Sequence, residues 1–76
     1  VLTNFVVKHG SKTDGSLIRD ISWPDNCLLV AIQRGTEEII PKGRTRLLAG
    51  DTIVTMMDER DSAAIREKLE KLCGGF

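Results

Sequence analysis

Charge of one sign is what this sequence lacks first. Eleven Lys and Arg are matched by eleven Asp and Glu, so the net charge is zero with the single histidine neutral. A nucleic-acid arm or a basic membrane-binding surface needs an excess of positive charge, so neither fits, and no nucleic-acid partner is expected. Long hydrophobic runs are missing too. The longest, Cys27 to Ile32, is six residues, against the roughly 20 that a membrane span needs. The first residues show no charged leader with an apolar stretch and a small-residue cleavage site, so no signal peptide is expected. Cysteine is limited to Cys27 and Cys73, far apart and in no CxxC pair. They allow one disulfide at most and do not announce zinc. Among apolar neighbours both read as buried free thiols, consistent with a reduced, cytoplasmic setting. Aromatics are only Phe5, Trp23 and Phe76.

What is present is one small domain of 76 residues with 41% hydrophobic content. A core of this size rarely supplies more than about 3–5 kcal/mol, and association is a common supplement where disulfides and metals are absent. Thr3 to His9 reads as a strand, and Gly10 to Ser16 as a loop. Leu17, Ile18 and Ile21 fit one helical turn, with Asp14 or Ser16 as its cap. Trp23 to Asn26 is a turn. Cys27 to Arg34 and Glu37 to Ile40 are two extended runs joined by Gly35-Thr36, the pattern of a type II′ hairpin with positive φ at Gly35. That loop sets a register in which Arg34 faces Glu37, Gln33 faces Glu38, Ile32 faces Ile39 and Ala31 faces Ile40. A type I turn is expected at Ile40 to Gly43, a further turn at Ala49 to Asp51, and a strand at Thr52 to Met57.

Asp58 to Leu72 is the helix expected at the C-terminal end. Asp58 serves as its N-cap, Ile65, Leu69 and Leu72 form its apolar stripe, and Gly74 is the stop, with Gly74-Gly75 leading into a frayed tail. Strict alternation along the hairpin places Leu28, Val30, Ile32 and Ile39 on one sheet face and Cys27, Leu29, Ala31 and Ile40 on the other. Both faces are apolar, whereas a lone antiparallel sheet normally keeps one side wet. One long and one short helix cover one face, so a second copy of the chain is expected on the other, making a homodimer.

Catalytic signals are thin. His9 is the only histidine, and a Cys27–His9 pair would have no third group to orient it. Ser11, Ser16, Ser22 and Ser62 fall in turns or at helix starts, none within GxSxG. Asp58, Glu59 and Asp61 lack the alternation, central Gly and distant Glu of a calcium loop, and are read as helix-capping residues. Neither phosphate-cradling glycine motif occurs. No enzyme activity, metal or cofactor is expected. Arg34, Lys42, Arg44 and Arg46 cluster around the hairpin and the following loop, partly neutralised by Glu37 and Glu38. They offer either a solvated loop face or an anion site, since guanidinium groups suit phosphate and carboxylate.

The order of several short elements resembles one family. Ile18, Asp20 and Ile21 end a short helix, and Pro24 sits in the turn. Val30-Ala31-Ile32-Gln33-Arg34-Gly35 forms the central strand, and Ile39-Ile40-Pro41 the next strand end. Leu47 and Gly50-Asp51 form a turn, Thr52 to Met57 a strand, and Asp58 to Asp61 an acidic helix start. Over residues 3 to 72 this arrangement resembles the TrkA-C (RCK-C) family, the C-terminal regulatory subdomain of potassium-conductance regulators. The resemblance implies an α+β fold: an antiparallel four-stranded sheet with one short and one C-terminal helix, in the order β-α-β-β-β-α, commonly dimeric. It implies a cytoplasmic, ligand-sensing regulatory module attached to a membrane transport protein such as a potassium regulator, a cation antiporter, an anion symporter or a ClC-type chloride channel. The alternative is a purely structural homodimerisation domain.

No Rossmann half is present, and the apolar start Val1-Leu2 suits a segment of a longer protein. Some members of the family bind cyclic di-AMP between two subunits, usually through an Arg and an Asn in a longer turn before the central strand. Here the turn is the short form Ser22 to Cys27, with Asn26 and no Arg. A small anionic or nucleotide ligand is expected, if anywhere, in the groove between two subunits. Ile32, Ile39 and Pro41 would supply an apolar floor there, with Arg34 and Arg44 to meet an anionic group.

Overall fold

The computed structural model describes residues 1–74. Four strands form one antiparallel sheet: β1 Leu2–Val6, β2 Cys27–Arg34, β3 Glu37–Ile39 and β4 Thr52–Met57. Their order across the sheet is β1-β4-β2-β3. A single 3₁₀ turn, Ile18–Asp20, stands between β1 and β2. A second, Glu59–Asp61, leads into the only α-helix among the described residues, α1 Ser62–Gly74. This is the α+β arrangement expected from the sequence.

The β2–β3 hairpin has the register that its loop dictates, with Arg34 opposite Glu37, Gln33 opposite Glu38 and Ile32 opposite Ile39. Gly35 has φ +61° and Thr36 does not share that sign, the signature of a II′ turn. The expected Ala31–Ile40 pair does not form. β3 ends at Ile39, and Ile40 is 76% exposed. Pro41 follows it with no N–H to continue the ladder. The next closed turn runs from Lys42 to Thr45 rather than from Ile40 to Gly43: Thr45 N donates to Lys42 O at 3.0 Å, and Lys42 N donates to Thr45 Oγ1 at 3.1 Å.

The facing of β2 also departs from strict alternation. β2 pairs with β4 at Leu29–Thr55 and at Ala31–Val54, so Val30 is an extra residue, a β-bulge. The bulge reverses the phase in mid-strand. Cys27, Leu29 and Ile32 therefore share the inner face, while Leu28 and Val30 are exposed. The face memberships expected from alternation are corrected accordingly. The core unites Phe5, Ile32, Ile53 and Met57 of the sheet with Val7 and Leu47 of the connections and Ile65, Leu69 and Cys73 of α1. Burying an aliphatic side chain of this kind contributes about 1.5–3 kcal/mol each.

The helical turn near Leu17 is 3₁₀ and has no side-chain cap. Asp14 and Ser16, the expected caps, have other partners: the Asp14 carboxylate accepts from Gly10 N and Ala49 N, both at 3.0 Å, and Ser16 Oγ donates to Lys12 O at 2.8 Å. Asp58 does cap the following segment, accepting from Arg60 N at 2.9 Å. Gly74 is the last residue of α1. The reading of Gly75 as part of a stop and frayed tail lies outside the described residues. β1 is shorter than Thr3 to His9, but the chain stays paired just beyond it, where Val7 exchanges backbone hydrogen bonds with Gly50 and Asp51, each at 2.8 Å.

Candidate functional site

α1 and the connections cover the inner face of the sheet, and in the single chain the outer face is open. Its side chains form rows across the strands. Leu2 of β1, Met56 of β4 and Leu28 of β2 stand side by side. The next row is Asn4, Val54 and Ala31, and the last is Val6, Thr52, Gln33 and Glu38. The face thus grades from apolar at the end carrying Leu2 to mostly polar near the hairpin loop. Leu2 and Leu28 are 62% and 63% exposed, and Met56 is 48% exposed. Val30, set outward by the bulge, adds to the same surface at 41%.

At the other end stands the charged hairpin region. Arg34 leaves the end of β2 and closes on Asp51, with Nε donating to Oδ1 at 2.8 Å and Nη2 to Oδ2 at 2.7 Å. Nη2 also donates to Arg46 O at 3.0 Å, and Leu48 N donates to Asp51 Oδ2 at 2.9 Å. Arg34 holds the Asp51 carboxyl below the usual carboxylate range, chiefly through this hydrogen-bonded fork. The same bond raises the Arg34 pKa further. Arg46 is committed as well, donating through Nη1 to Gly15 O at 2.5 Å.

The five residues expected to line a ligand groove have different places. Ile32 is fully buried beneath the sheet and presents no surface. The Arg34 guanidinium is occupied by Asp51. Ile39 and Pro41 are half-buried, and Arg44 is exposed. The pairing of Arg34 with Asp51 is not legible in the sequence, where Gly50-Asp51 reads only as a turn. The Leu2–Met56–Leu28 row is not legible there either, because it depends on how β1 pairs with β4, far away in the chain.

Other reactive groups are dispersed. Register places Cys27 at the same end of the sheet as Met57, whereas His9 follows β1 beyond the opposite end. The Cys27–His9 pair is therefore not formed. Both thiols are free, Cys73 buried and Cys27 half-buried, and burial pushes up the pKa of each. Asp58 is engaged by Arg60, whose Nη2 donates to Oδ2 at 2.9 Å. Among the described residues, no group of three His, Cys, Asp or Glu is arranged to hold a metal ion. No helix among them is long and apolar enough to cross a membrane.

The fold and its open face define a class: a small α+β module with one covered and one exposed apolar sheet surface. Residues 2–70 match the family model of the TrkA-C domain, and the chain belongs to that family. It is 38% identical over 55 residues to the Trk system potassium uptake protein TrkA homolog of Archaeoglobus fulgidus, an alignment that covers 72% of this chain and 13% of that protein. The chain therefore corresponds to a small part of its curated relative. Among solved structures it is similar to one described as "Structure of RCK domain with cda", with a TM-score of 0.72 and 21% identity over 88% of this chain and 94% of that one. That likeness concerns the fold.

Proposed function

We propose that this chain is the regulatory, ligand-sensing and dimerisation module of a cytoplasmic component of a membrane ion-transport system, of the potassium-uptake type that its relative's name describes. The observation that carries the reading is the open apolar row of Leu2, Met56 and Leu28. Two copies meeting on this face would bury it and supplement a small core. A dimer of such modules can couple to a dimeric transporter, and a ligand that prefers one arrangement shifts the balance by its differential affinity. Sedimentation at micromolar concentration should give about twice the 8.4 kDa chain mass. A monomer at high concentration would remove dimerisation from the proposal.

The ligand part of the reading rests on the exposed Arg44 and the half-buried Ile39 and Pro41, with Ile32 as support beneath the sheet and the Arg34–Asp51 pair as a clamp on the loop. The second reading is a dimerisation domain without a small ligand. It is favoured by the internal use of Ile32 and Arg34. It is favoured also by Asn26, whose side chain donates to Asp61 Oδ2 at 3.1 Å instead of standing free. Titration with cyclic dinucleotides, adenine nucleotides and simple anions separates the two, since only a sensor gains melting temperature from a ligand.

A further inference from the structure

A groove on the far side of the molecule from the open sheet face combines three cations with an apolar floor. It begins with the loop from Gly10 to Ser16, which is polar in sequence yet sends two side chains inward: Ser11 is 6% exposed and Thr13 is fully buried. The loop is fastened to the end of α1. Thr13 N donates to Leu72 O at 3.3 Å, and the neighbouring Lys8 N donates to Cys73 O at 2.9 Å. The Ser16 hydroxyl holds the Lys12 carbonyl at 2.8 Å, so the loop has little freedom where Lys12 departs. Lys68 and Lys71 lie three residues apart on α1 and share a helix face. The fastening brings Lys12 to that face. The three lysines surround a hollow of about 280 Å³ floored by Leu72, with Ser22 on its wall. An adjoining hollow of about 250 Å³ shares Lys12, Ser22 and Leu72 and continues over Ile21.

Two of the three cations in this groove are not spent internally. Among the described residues, Lys12 and Lys68 have no carboxylate within 4 Å, and Lys71 reaches Glu67 only at 3.7 Å. Asp20 lines the adjoining hollow but not the one bordered by Lys68 and Lys71. Lysines near a helix C-terminus often serve its unpaired carbonyls. Here the Leu72 and Cys73 carbonyls already accept from Thr13 and Lys8. In a chain of zero net charge, three lysines bordering one hollow beside a half-buried leucine favour an occupant with concentrated negative charge and an apolar body.

We infer that this groove is a binding site for a small phosphomonoester. The dianionic phosphate sits among Lys12, Lys68 and Lys71, and the apolar part lies over Leu72 and Ile21. Ammonium groups act on phosphate as point charges and need no planar fork. The site is built by one chain, so it does not depend on pairing of two copies or on the Arg44 surface.

Phenyl phosphate, inorganic phosphate and phenol are suitable probes, titrated into the isotopically labelled chain and followed by amide NMR. Phenyl phosphate should give saturable shifts at Lys12, Ser22, Lys68, Lys71 and Leu72. It should bind more tightly than inorganic phosphate, and phenol should give no saturable shift there. The combined Lys12→Gln, Lys68→Gln and Lys71→Gln variant should weaken phenyl phosphate at least about tenfold, as expected when charge-assisted contacts are removed. Arginine at the same three positions should retain most of the binding, and Arg44→Gln should change nothing. Absence of saturable shifts, shifts centred elsewhere, or unchanged affinity in the glutamine variant would each overturn the site. The single variants Lys68→Gln and Lys71→Gln, both at exposed positions, supply the same reading should the combined variant lose its native spectrum.

Discussion

Arg34 and Asp51 form a two-bond fork in which a nearly inaccessible carboxylate receives both Nε and Nη2 of a partly exposed guanidinium, at 2.8 and 2.7 Å. The pair ties the end of β2 to the residue that introduces β4. An amide in place of the carboxylate gives up the charge-assisted bonds and turns a donor toward the Arg34 and Leu48 N–H groups in a nearly inaccessible place, which leaves buried polar groups unsatisfied. Asp51→Asn should therefore lower the unfolding free energy by about 2 kcal/mol or more, read from urea denaturation. An unchanged midpoint would show that the fork is dispensable.

The same pair predicts an acid limb in stability. The folded-state pKa of Asp51 lies below its ordinary value, so the unfolded chain binds more protons in the window between the two. The contribution is fully present above the ordinary aspartate value near about 4 and is lost as pH falls through the depressed one. Melting temperature measured down the acid range should decline less steeply in Asp51→Asn than in the parent. Parallel declines would assign the limb to other carboxylates.

Leu28 and Leu29 are adjacent in sequence and opposite in facing. Leu28→Arg places a charge in the open apolar row and should dissociate a dimer into folded monomers, because an unpaired charge at an interface is costly. Leu29→Arg places it against the core and should unfold the chain. Sedimentation combined with circular dichroism distinguishes the two outcomes. A Leu28→Arg chain that still sediments at twice its mass would move the interface elsewhere.

Gly35 holds φ +61°, and a Cβ added there would meet nothing within 4 Å. The cost of substitution is therefore backbone strain alone. Gly35→Val should destabilise by more than about 1 kcal/mol, since β-branched residues avoid positive φ, and Gly35→Asn by clearly less. Thermal melts of the two variants test this, and equal losses would contradict it.

The two thiols should differ in reactivity. Cys27 is half-buried and Cys73 is 2% exposed, with burial raising both pKa values. Because the thiolate is the reactive form, a thiol reagent at mildly alkaline pH should label Cys27 first and Cys73 only as the chain opens. Mass spectrometry of peptides from a timed reaction gives the order, and simultaneous labelling would show that α1 detaches readily.

The hairpin was legible because Gly35-Thr36 imposes turn geometry locally, and the start of the helical segment was legible from Asp58. The facing of β2 was not. Every residue from Cys27 to Ile32 is apolar, so no polar position marks where the alternation breaks, and the bulge is visible only against β4. Asp51 likewise read as a turn residue because its partner lies 17 positions away. For the ligand surface, clustered arginines indicated charge without showing where it was already satisfied: Arg34 and Arg46 are held by neighbours, while Arg44 is free of such bonds among the described residues. The lysine groove was hidden for the converse reason, its cations coming from a loop and a helix some 56 residues apart, united by the Thr13–Leu72 and Lys8–Cys73 fastenings.

Val30 makes β2 one residue longer than the ladder requires. On either side of it the pairs Leu29–Thr55 and Ala31–Val54 follow one another on β4 without a gap. A chain shortened by that single residue would keep each remaining partner across the sheet and the inward facing of both Leu29 and Ile32. The middle of the central strand, ordinarily the place least forgiving of a change in length, is here the place where one residue can be gained or lost without moving the core.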